Sequence, residues 1–178
     1  MQKSPIMYHR FIVVLYFSCL FFHGAFAQSD YIGECRQKLQ NAAAYTLEIA
    51  ELMPDSLYSF RPIAAEMSFQ EQLLHILSNL NWLSSSYLGG TPSTRDFKSE
   101  AYSKTEILAI MQETFDLVDA ALAQLPPEQL SDTVSFFAGP MTKRQILTLL
   151  NDHHTHHRGQ LIVYLRLNGL KPPRYRGW

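Results

Sequence analysis

The sequence has little cysteine, no surplus of basic residues and only one long apolar run. Among its 178 residues are two cysteines, 15 lysines and arginines, and 16 aspartates and glutamates. A protein that binds DNA through its phosphates usually needs an excess of lysine and arginine over acidic residues, so the composition argues against a nucleic-acid partner. With 47% hydrophobic and 17% charged residues, the chain has the composition of one globular domain with a buried core.

The one long apolar run lies near the N-terminus and has the features of a secretory signal peptide. Lys3 and Arg10 precede the run "FIVVLYFSCLFF", and Ala25-Phe26-Ala27 follows it as a small-x-small cleavage site. We therefore expect export to the periplasm or the extracellular space, with cleavage after Ala27 and a mature domain of residues 28–178. The run is too short for a comfortable membrane span, so no stable span is expected after processing; a retained N-terminal anchor is the alternative.

Processing would change the charge and the cysteine count. Removal of residues 1–27 takes away Lys3 and Arg10 and no acids, which leaves 13 basic against 16 acidic residues, a net charge of −3. Cys35 then remains as the single cysteine, which excludes an internal disulfide. We expect Cys35 to be a small buried hydrophobe, with a reactive thiol near a helix start as the alternative.

Four segments with helical periodicity predict an all-α protein, for which a four-helix bundle is the default. Three of them follow a capping box, in which a Ser or Thr caps the helix and the Glu or Gln three residues later reaches back: "SFQE", "SKTE" and "TKRQ". Pro54, Gly89-Gly90, Pro126-Pro127 and Gly169 mark the helix ends. "SDTVSFFAGPM" alternates like a short extended piece that ends in a turn. The predicted helices cover residues 30–53, 69–88, 104–125 and 143–168.

The histidines are unevenly distributed. Four of the seven fall within five positions, in "HHTHH", and steps of four and three from Ile146 place His153 and His157 on the inward face of the last helix. Histidines four apart can bind one metal ion, and His75 in the second helix offers a third imidazole. Three imidazoles with a free position are typical of a catalytic metal site. The alternatives are a solvated histidine patch and, for His75, a hydrogen-bonded core histidine.

Other residues are weaker candidates for this site. His154 and His156 fall to either side of the predicted inward face and are expected at the surface or beside the ligands. Asp152 and Gln160 could orient a ligand, and Asn79 and Trp82, four and seven residues after His75, could line a pocket. Plain packing between helices is an equal alternative for Asn79, Trp82 and Gln160.

Several motifs resemble those of the DinB/YfiT-like metalloenzymes. "HxxxHRGQ" is matched by His153 through Gln160, and the histidine of "LLHILSNLNW" matches the second-helix ligand, His75; "FRP" and "GPMTKRQIL" are also similar. The resemblance covers essentially the whole mature chain. It implies an up-up-down-down four-helix bundle with long crossover connections, in many members a homodimer. It also implies a divalent metal ion, zinc or nickel, held by His75, His153 and His157.

The function expected from these features is that of a metal-dependent enzyme acting on a small molecule. The resemblance implies either a hydrolase or a thiol-dependent transferase, without identifying the substrate. One alternative is a non-enzymatic exported metal-binding or sensor protein, which a fully ligated or solvent-flush site would indicate. Another is a bundle that binds a protein partner and whose histidines have no role. An open coordination position beside an enclosed pocket would favour the enzyme.

Overall fold

The structure, a computed structural model, describes residues 31–99 and 101–177 of the chain. The predicted signal peptide, residues 1–27, lies outside the described residues. The four predicted helices are confirmed, and their ends in the described part of the chain differ from the predicted ends by at most one residue. They are α1 (31–52), α2 (Phe69–Tyr87), α3 (Lys104–Gln124) and α4 (Lys143–Leu167).

All three predicted capping boxes are present. Ser68, Ser103 and Thr142 each accept a hydrogen bond from the backbone N–H three residues later, and the side chain of that residue accepts from the N-cap backbone. Each box satisfies two backbone donors that would otherwise lack an intrahelical partner, which is why these helices begin where they do. Gly89 and Gly169 have φ values of +79° and +73° and follow the C-caps of α2 and α4, where a side chain would be strained.

The connections between the helices are long and contain little regular structure. A 3₁₀ helix, Asp55–Leu57, follows α1, and a second, Pro127–Ser131, follows α3. The predicted extended piece before α4 is a short antiparallel hairpin of β1 (Thr133–Val134) and β2 (Met141–Thr142). Between α2 and α3, residues 88–103 run without a helix or strand in their described part. This segment forms one side of a cavity described below.

Contacts between α2 and α4 show that these helices run in opposite directions. His75 of α2 contacts His153 of α4, whereas Met67, just before α2, accepts a hydrogen bond from Tyr164, near the end of α4. The helix α3 is antiparallel to α1, because Arg36 bonds Asp119 near the end of α3, whereas Lys104 at the start of α3 donates to the carbonyl of Glu51 near the end of α1. These pairings fix the direction of α2 relative to α4 and that of α3 relative to α1.

The pairing of α1 with α4 fixes the remaining direction and corrects the expected topology. Tyr31 contacts Thr148, and Thr46, fifteen residues later, contacts His154, so α1 and α4 run in the same sense. The order is therefore up-down-down-up rather than up-up-down-down. Only α2 and α3 are consecutive and parallel, so residues 88–103 must return along the bundle. A crossover of this length is what allows α2 to lie beside both α3 and α4.

The core is built from the inward faces of all four helices. Residues without measurable exposure include Ile49, Leu77, Val118 and Leu150, one from each helix. Cys35 is buried among these apolar side chains, as predicted. Burial raises the pKa of its thiol. None of the helices in the described part of the chain has both the length and the apolar character needed to cross a membrane.

Candidate metal centre

The helices α2 and α4 bring His75, His153 and His157 together. The Nε2 atoms of His75 and His153 are 3.2 Å apart. The ring centroids lie 4.5 Å apart for His75 and His157, and 4.5 Å for His153 and His157. One ligand atom from each histidine lies within 4.8 Å of the other two. The sequence prediction that these three residues meet at one point therefore matches the geometry.

Their spacing suits a metal ion. Two nitrogen ligands of a tetrahedral zinc ion, each about 2.0–2.1 Å from it, lie roughly 3.3 Å apart. The His75–His153 separation of 3.2 Å is close to this value. The three imidazoles could therefore hold one ion and leave at least one coordination position for water or another molecule.

The electrostatics of the cluster keep its imidazoles in the form that binds metal. Burial lowers the pKa of all three histidines, because a charged ring is poorly solvated there. For His153, repulsion by His157, His75 and His156 adds to burial and lowers the pKa to about 4. The rings are consequently neutral at physiological pH, and neutral imidazole is the form with a lone pair available for a metal.

Two glutamines orient His157. Its Nδ1 lies 2.8 Å from Oε1 of Gln72 and 2.7 Å from Oε1 of Gln160. An amide oxygen only accepts, so Nδ1 must carry the proton and Nε2 must carry the lone pair. Such an outer hydrogen bond commonly fixes the tautomer of a ligating histidine. Gln160 thus makes a contact that could orient the site, as predicted. Gln72 was missed, although its position three residues before His75 places it on the same face of α2.

Of the other predicted neighbours of the site, Trp82 contacts the hairpin and Asp152 is exposed to solvent. Trp82 is two turns beyond His75, and its ring stacks on Phe136 and Phe137 of the hairpin turn, at 5.7 and 6.3 Å between centroids. Asp152 is exposed, because one residue of helix turns it about 100° away from His153 toward solvent. Asn79 is half-buried, and its Oδ1 is enclosed without a hydrogen-bond partner among the described residues.

His154 corrects the expectation of a surface residue. Its side chain is 1% exposed and lies in the core between α1 and α3, where its ring centroid is 5.4 Å from that of Phe115. Its Nε2 is 2.8 Å from the hydroxyl oxygen of Thr46, which itself donates to the carbonyl of Ala42. The Thr46 proton is used in that bond, so Nε2 of His154 donates. Burial, reinforced by the charge of Arg158, lowers the pKa of His154 to about 3.

The buried face of α4 is therefore wider than the predicted one. It includes His154 and Arg158, which is 3% exposed and lies 5.4 Å from the centre of the Tyr45 ring. Leu167, which the same steps of four and three from Ile146 would place on the inward face, is instead 58% exposed. The helix packs against α2 on one side and against α1 on the other. His153 and His157 face α2, whereas His154 and Arg158 face α1. His156 is exposed, in agreement with the prediction.

A cavity of about 420 Å³ adjoins the histidine cluster. His75 forms part of its wall, together with other residues of the first turns of α2, the segment before α2 and residues 97–99. The cavity is partly open to solvent. Neither Asn79 nor Trp82 is among the described residues that line this cavity, so their role in a pocket stays a prediction.

Comparisons with known proteins agree with the fold. The DinB family matches residues 27–177. The chain is 32% identical over 127 residues to the YjoA protein of Bacillus subtilis (strain 168), which covers 70% of this chain and 82% of YjoA. The crystal structure of YjoA, a DinB-like protein, superimposes with a TM-score of 0.68 at 27% identity, covering 80% of this chain and 97% of YjoA.

A second crystal structure shows the same fold at lower identity. A DinB-like protein from Bacillus cereus superimposes with a TM-score of 0.66 at 22% identity, and the match covers 76% of this chain and 91% of that one. The match of the family to residues 27–177, the likeness to YjoA and the shared four-helix architecture lead to one conclusion: the chain belongs to the DinB family.

Proposed function

We propose that the protein is a metal-dependent enzyme in which His75, His153 and His157 hold one divalent ion, zinc or nickel. The observation that carries the proposal is the convergence of three neutral imidazoles within 4.8 Å of one another. Nitrogen ligands of this kind suit zinc and nickel better than magnesium or calcium, which prefer oxygen. A metal ion held by three protein ligands supplies a Lewis acid, or lowers the pKa of a bound water or thiol.

The residues around the histidines support this role. Gln72 and Gln160 hold the proton at Nδ1 of His157 and so keep Nε2 free to bind. The burial that lowers the pKa of His75 also excludes bulk water from one side of the cluster. Electrostatic interactions are stronger in such a partly desolvated site than in water. The chain thus provides both the ligands and the environment that a reactive metal centre requires.

The cavity beside His75 favours catalysis over simple metal storage. A carrier or sensor needs no space for an organic molecule, whereas this site has about 420 Å³ next to one ligand. Both a hydrolytic and a thiol-dependent transfer reaction are compatible with three histidines. Export would favour hydrolysis, because low-molecular-weight thiols are chiefly cytoplasmic reagents.

Metal analysis of the purified protein, followed by competition with a chelator, tests the metal centre. We expect about one ion per chain, and we expect His75→Ala, His153→Ala and His157→Ala each to remove most of the affinity, since each deletes one of three ligands. The exposed His156→Ala is the matched control and should bind like the wild type. Equal losses for His156 and His157 would refute the assigned ligands. Screening of the metal-loaded protein with small esters, amides and electrophiles then tests for an enzyme.

We propose further that the protein is exported. Support comes from the charged start of the sequence, its apolar run and the Ala25-Phe26-Ala27 site. The expected mature N-terminus is Gln28. N-terminal sequencing of the protein from its native host tests this, and an intact Met1 on a cytoplasmic product would refute it.

A further inference from the structure

We infer that the cavity beside His75 binds a small organic anion, a carboxylate or a phosphate, whose charge is recognised by Lys98 and Arg61. The inference rests on the proposed function, since it takes the molecule in this cavity to be the substrate of the metal centre. His75 is the link between them, because it belongs both to the histidine cluster and to the cavity wall. A molecule in the cavity therefore lies next to the proposed metal position.

The charges of the lining residues favour an anion. Arg61, Lys98 and Glu71 are the charged groups of the wall. Nη2 of Arg61 is 3.1 Å from Oε2 of Glu71, so these two charges compensate each other. None of the ion pairs among the described residues includes Lys98. The cavity thus has one uncompensated positive charge, which attracts anions into a partly enclosed space.

The uncharged part of the wall suits an organic molecule rather than an inorganic ion. Phe97, Leu74 and Met67 provide apolar surface, and serine hydroxyls such as those of Ser59 and Ser78 provide polar contacts. Small-molecule sites typically have about 300–1,000 Å³ and a mainly apolar lining with a few polar groups. At about 420 Å³ this cavity is near the lower limit. The size fits a molecule comparable to an aromatic acid.

The loop that contains Lys98 is anchored, so the cavity wall is already formed. The backbone N–H of Lys98 donates to Oδ1 of Asp96 at 3.0 Å. Arg95 donates twice to Oε2 of Glu113 on α3, at 3.0 and 2.7 Å. Further back, Oδ1 of Asn81 in α2 accepts from the backbone of Ser93 at 2.7 Å. A preformed wall lowers the entropy cost of binding, which makes the positions of Lys98 and Phe97 relevant to affinity.

Binding of benzoate and benzamide tests the inference, because the two probes have the same shape and differ in charge. Each is titrated into the protein with and without zinc, and affinities are taken from chemical-shift changes in two-dimensional NMR spectra. We expect benzoate to bind at least threefold more tightly than benzamide in both forms, with the largest shifts at lining residues such as Ser59 and Ser99. Phenylphosphonate is the third probe: if it binds more tightly than benzoate, the preferred anion is a phosphate, and if not, a carboxylate.

Three variants show whether the charge preference arises in this cavity. Lys98→Met should reduce the preference for benzoate to less than twofold while leaving zinc affinity unchanged. Arg61→Met should abolish it, because Glu71 would then be uncompensated. Lys38→Met removes a lysine of α1 outside the cavity lining and is the matched control; it should behave like the wild type.

The outcomes separate this inference from the metal centre. If zinc binds but benzoate and benzamide bind equally, or if the preference survives Lys98→Met, the anion site is refuted and the metal centre stands. If zinc does not bind, the proposed function fails, and the assignment of the anion as a substrate fails with it. A Lys98-dependent preference in the zinc-free protein would then support only the recognition of the anion.

Discussion

The two glutamines that contact His157 share a single proton, and this has a consequence for mutagenesis. Either Oε1 can accept from Nδ1 when the other is removed, so each glutamine partly compensates for the loss of its neighbour. We expect Gln72→Met and Gln160→Met to reduce metal affinity by less than about tenfold each. The double variant should lose roughly 10- to 100-fold, the usual cost of removing an outer hydrogen bond from a ligating histidine.

Chelator competition measures these affinities. Gln112→Met, which changes an exposed glutamine of α3, is the control for the substitution itself. If the fold-loss in metal affinity of the double variant equals the product of the losses of the two single variants, the glutamines act independently rather than on one proton.

His154 should matter for stability and not for metal binding. The side chain fills core space and donates to Thr46, so His154→Ala leaves a cavity and removes the donor to the Thr46 hydroxyl oxygen, which keeps its own bond to Ala42. We expect a loss of about 2–4 kcal/mol in the free energy of unfolding, the same with metal and with chelator. His153→Ala, one residue earlier, should instead lose stability chiefly when metal is present, because it removes the stabilisation that binding confers.

Thermal and urea unfolding of both variants, each with metal and with chelator, decides the point. Leu150→Ala serves as an ordinary core truncation and should cost about 2–5 kcal/mol under both conditions. A metal-dependent loss for His154→Ala would mean that this histidine belongs to the metal site.

At the scale of helices, a bidentate ion pair joins α1 to α3. Arg36 donates to both carboxylate oxygens of Asp119, at 3.0 and 2.9 Å. The hydrogen bond from Arg36 lowers the pKa of Asp119 below its ordinary value, so the folded state favours the ionised carboxylate. The stabilisation is therefore fully present above the unfolded pKa of about 3.9 and is lost as the pH falls through the folded pKa.

The substitution Asp119→Asn should make this pH dependence visible. At pH 7 we expect a loss of about 0.5–1 kcal/mol, because both partners are partly exposed and screened by solvent. The difference between wild type and variant should shrink toward zero as the pH falls below about 3.9 and through the lower folded pKa of Asp119. Urea unfolding from pH 7 to about pH 2 measures it, with the exposed Asp116→Asn as the control. A difference that stays constant over this range would exclude the ion pair as its cause.

The helices were predictable because their ends are determined locally. Each capping box satisfies backbone donors within four residues, and the prolines and glycines that end the helices act on their own backbone. Helix direction was not predictable in this way, because nothing local to residues 88–103 shows that the chain crosses the bundle there. The up-down-down-up order follows from pairs such as Thr46 and His154, which are 108 positions apart.

The candidate site was predictable in part, for a similar reason. Periodicity placed His153 and His157 on one face of α4, and His75 was the only other histidine outside the cluster and the predicted signal peptide. Periodicity could not show that α4 packs on two sides, so His154 and Arg158 were missed as buried residues. The cavity was also beyond prediction, because its wall joins α2 to two connecting segments whose positions depend on tertiary packing.

At the scale of the whole molecule, the candidate metal site joins parts of the chain that are far apart in the sequence. His75 and His153 are 78 positions apart, and the crossover and all of α3 lie between them. Three ligands can therefore converge only when α2 and α4 have docked. An interaction that is absent from the folding transition state slows unfolding and leaves the folding rate unchanged.

Bound metal should accordingly lower the unfolding rate. At a metal concentration 100 times Kd, the expected stabilisation is about 2.7 kcal/mol, or a roughly 100-fold slower unfolding rate. Stopped-flow unfolding and refolding in urea measure the two rates, with His75→Ala as the variant in which neither should respond to metal. A refolding rate that rises with metal as much as the unfolding rate falls would show that the ligands meet early. If only the unfolding rate responds, an ion that binds the folded bundle lengthens the lifetime of the native state without accelerating folding.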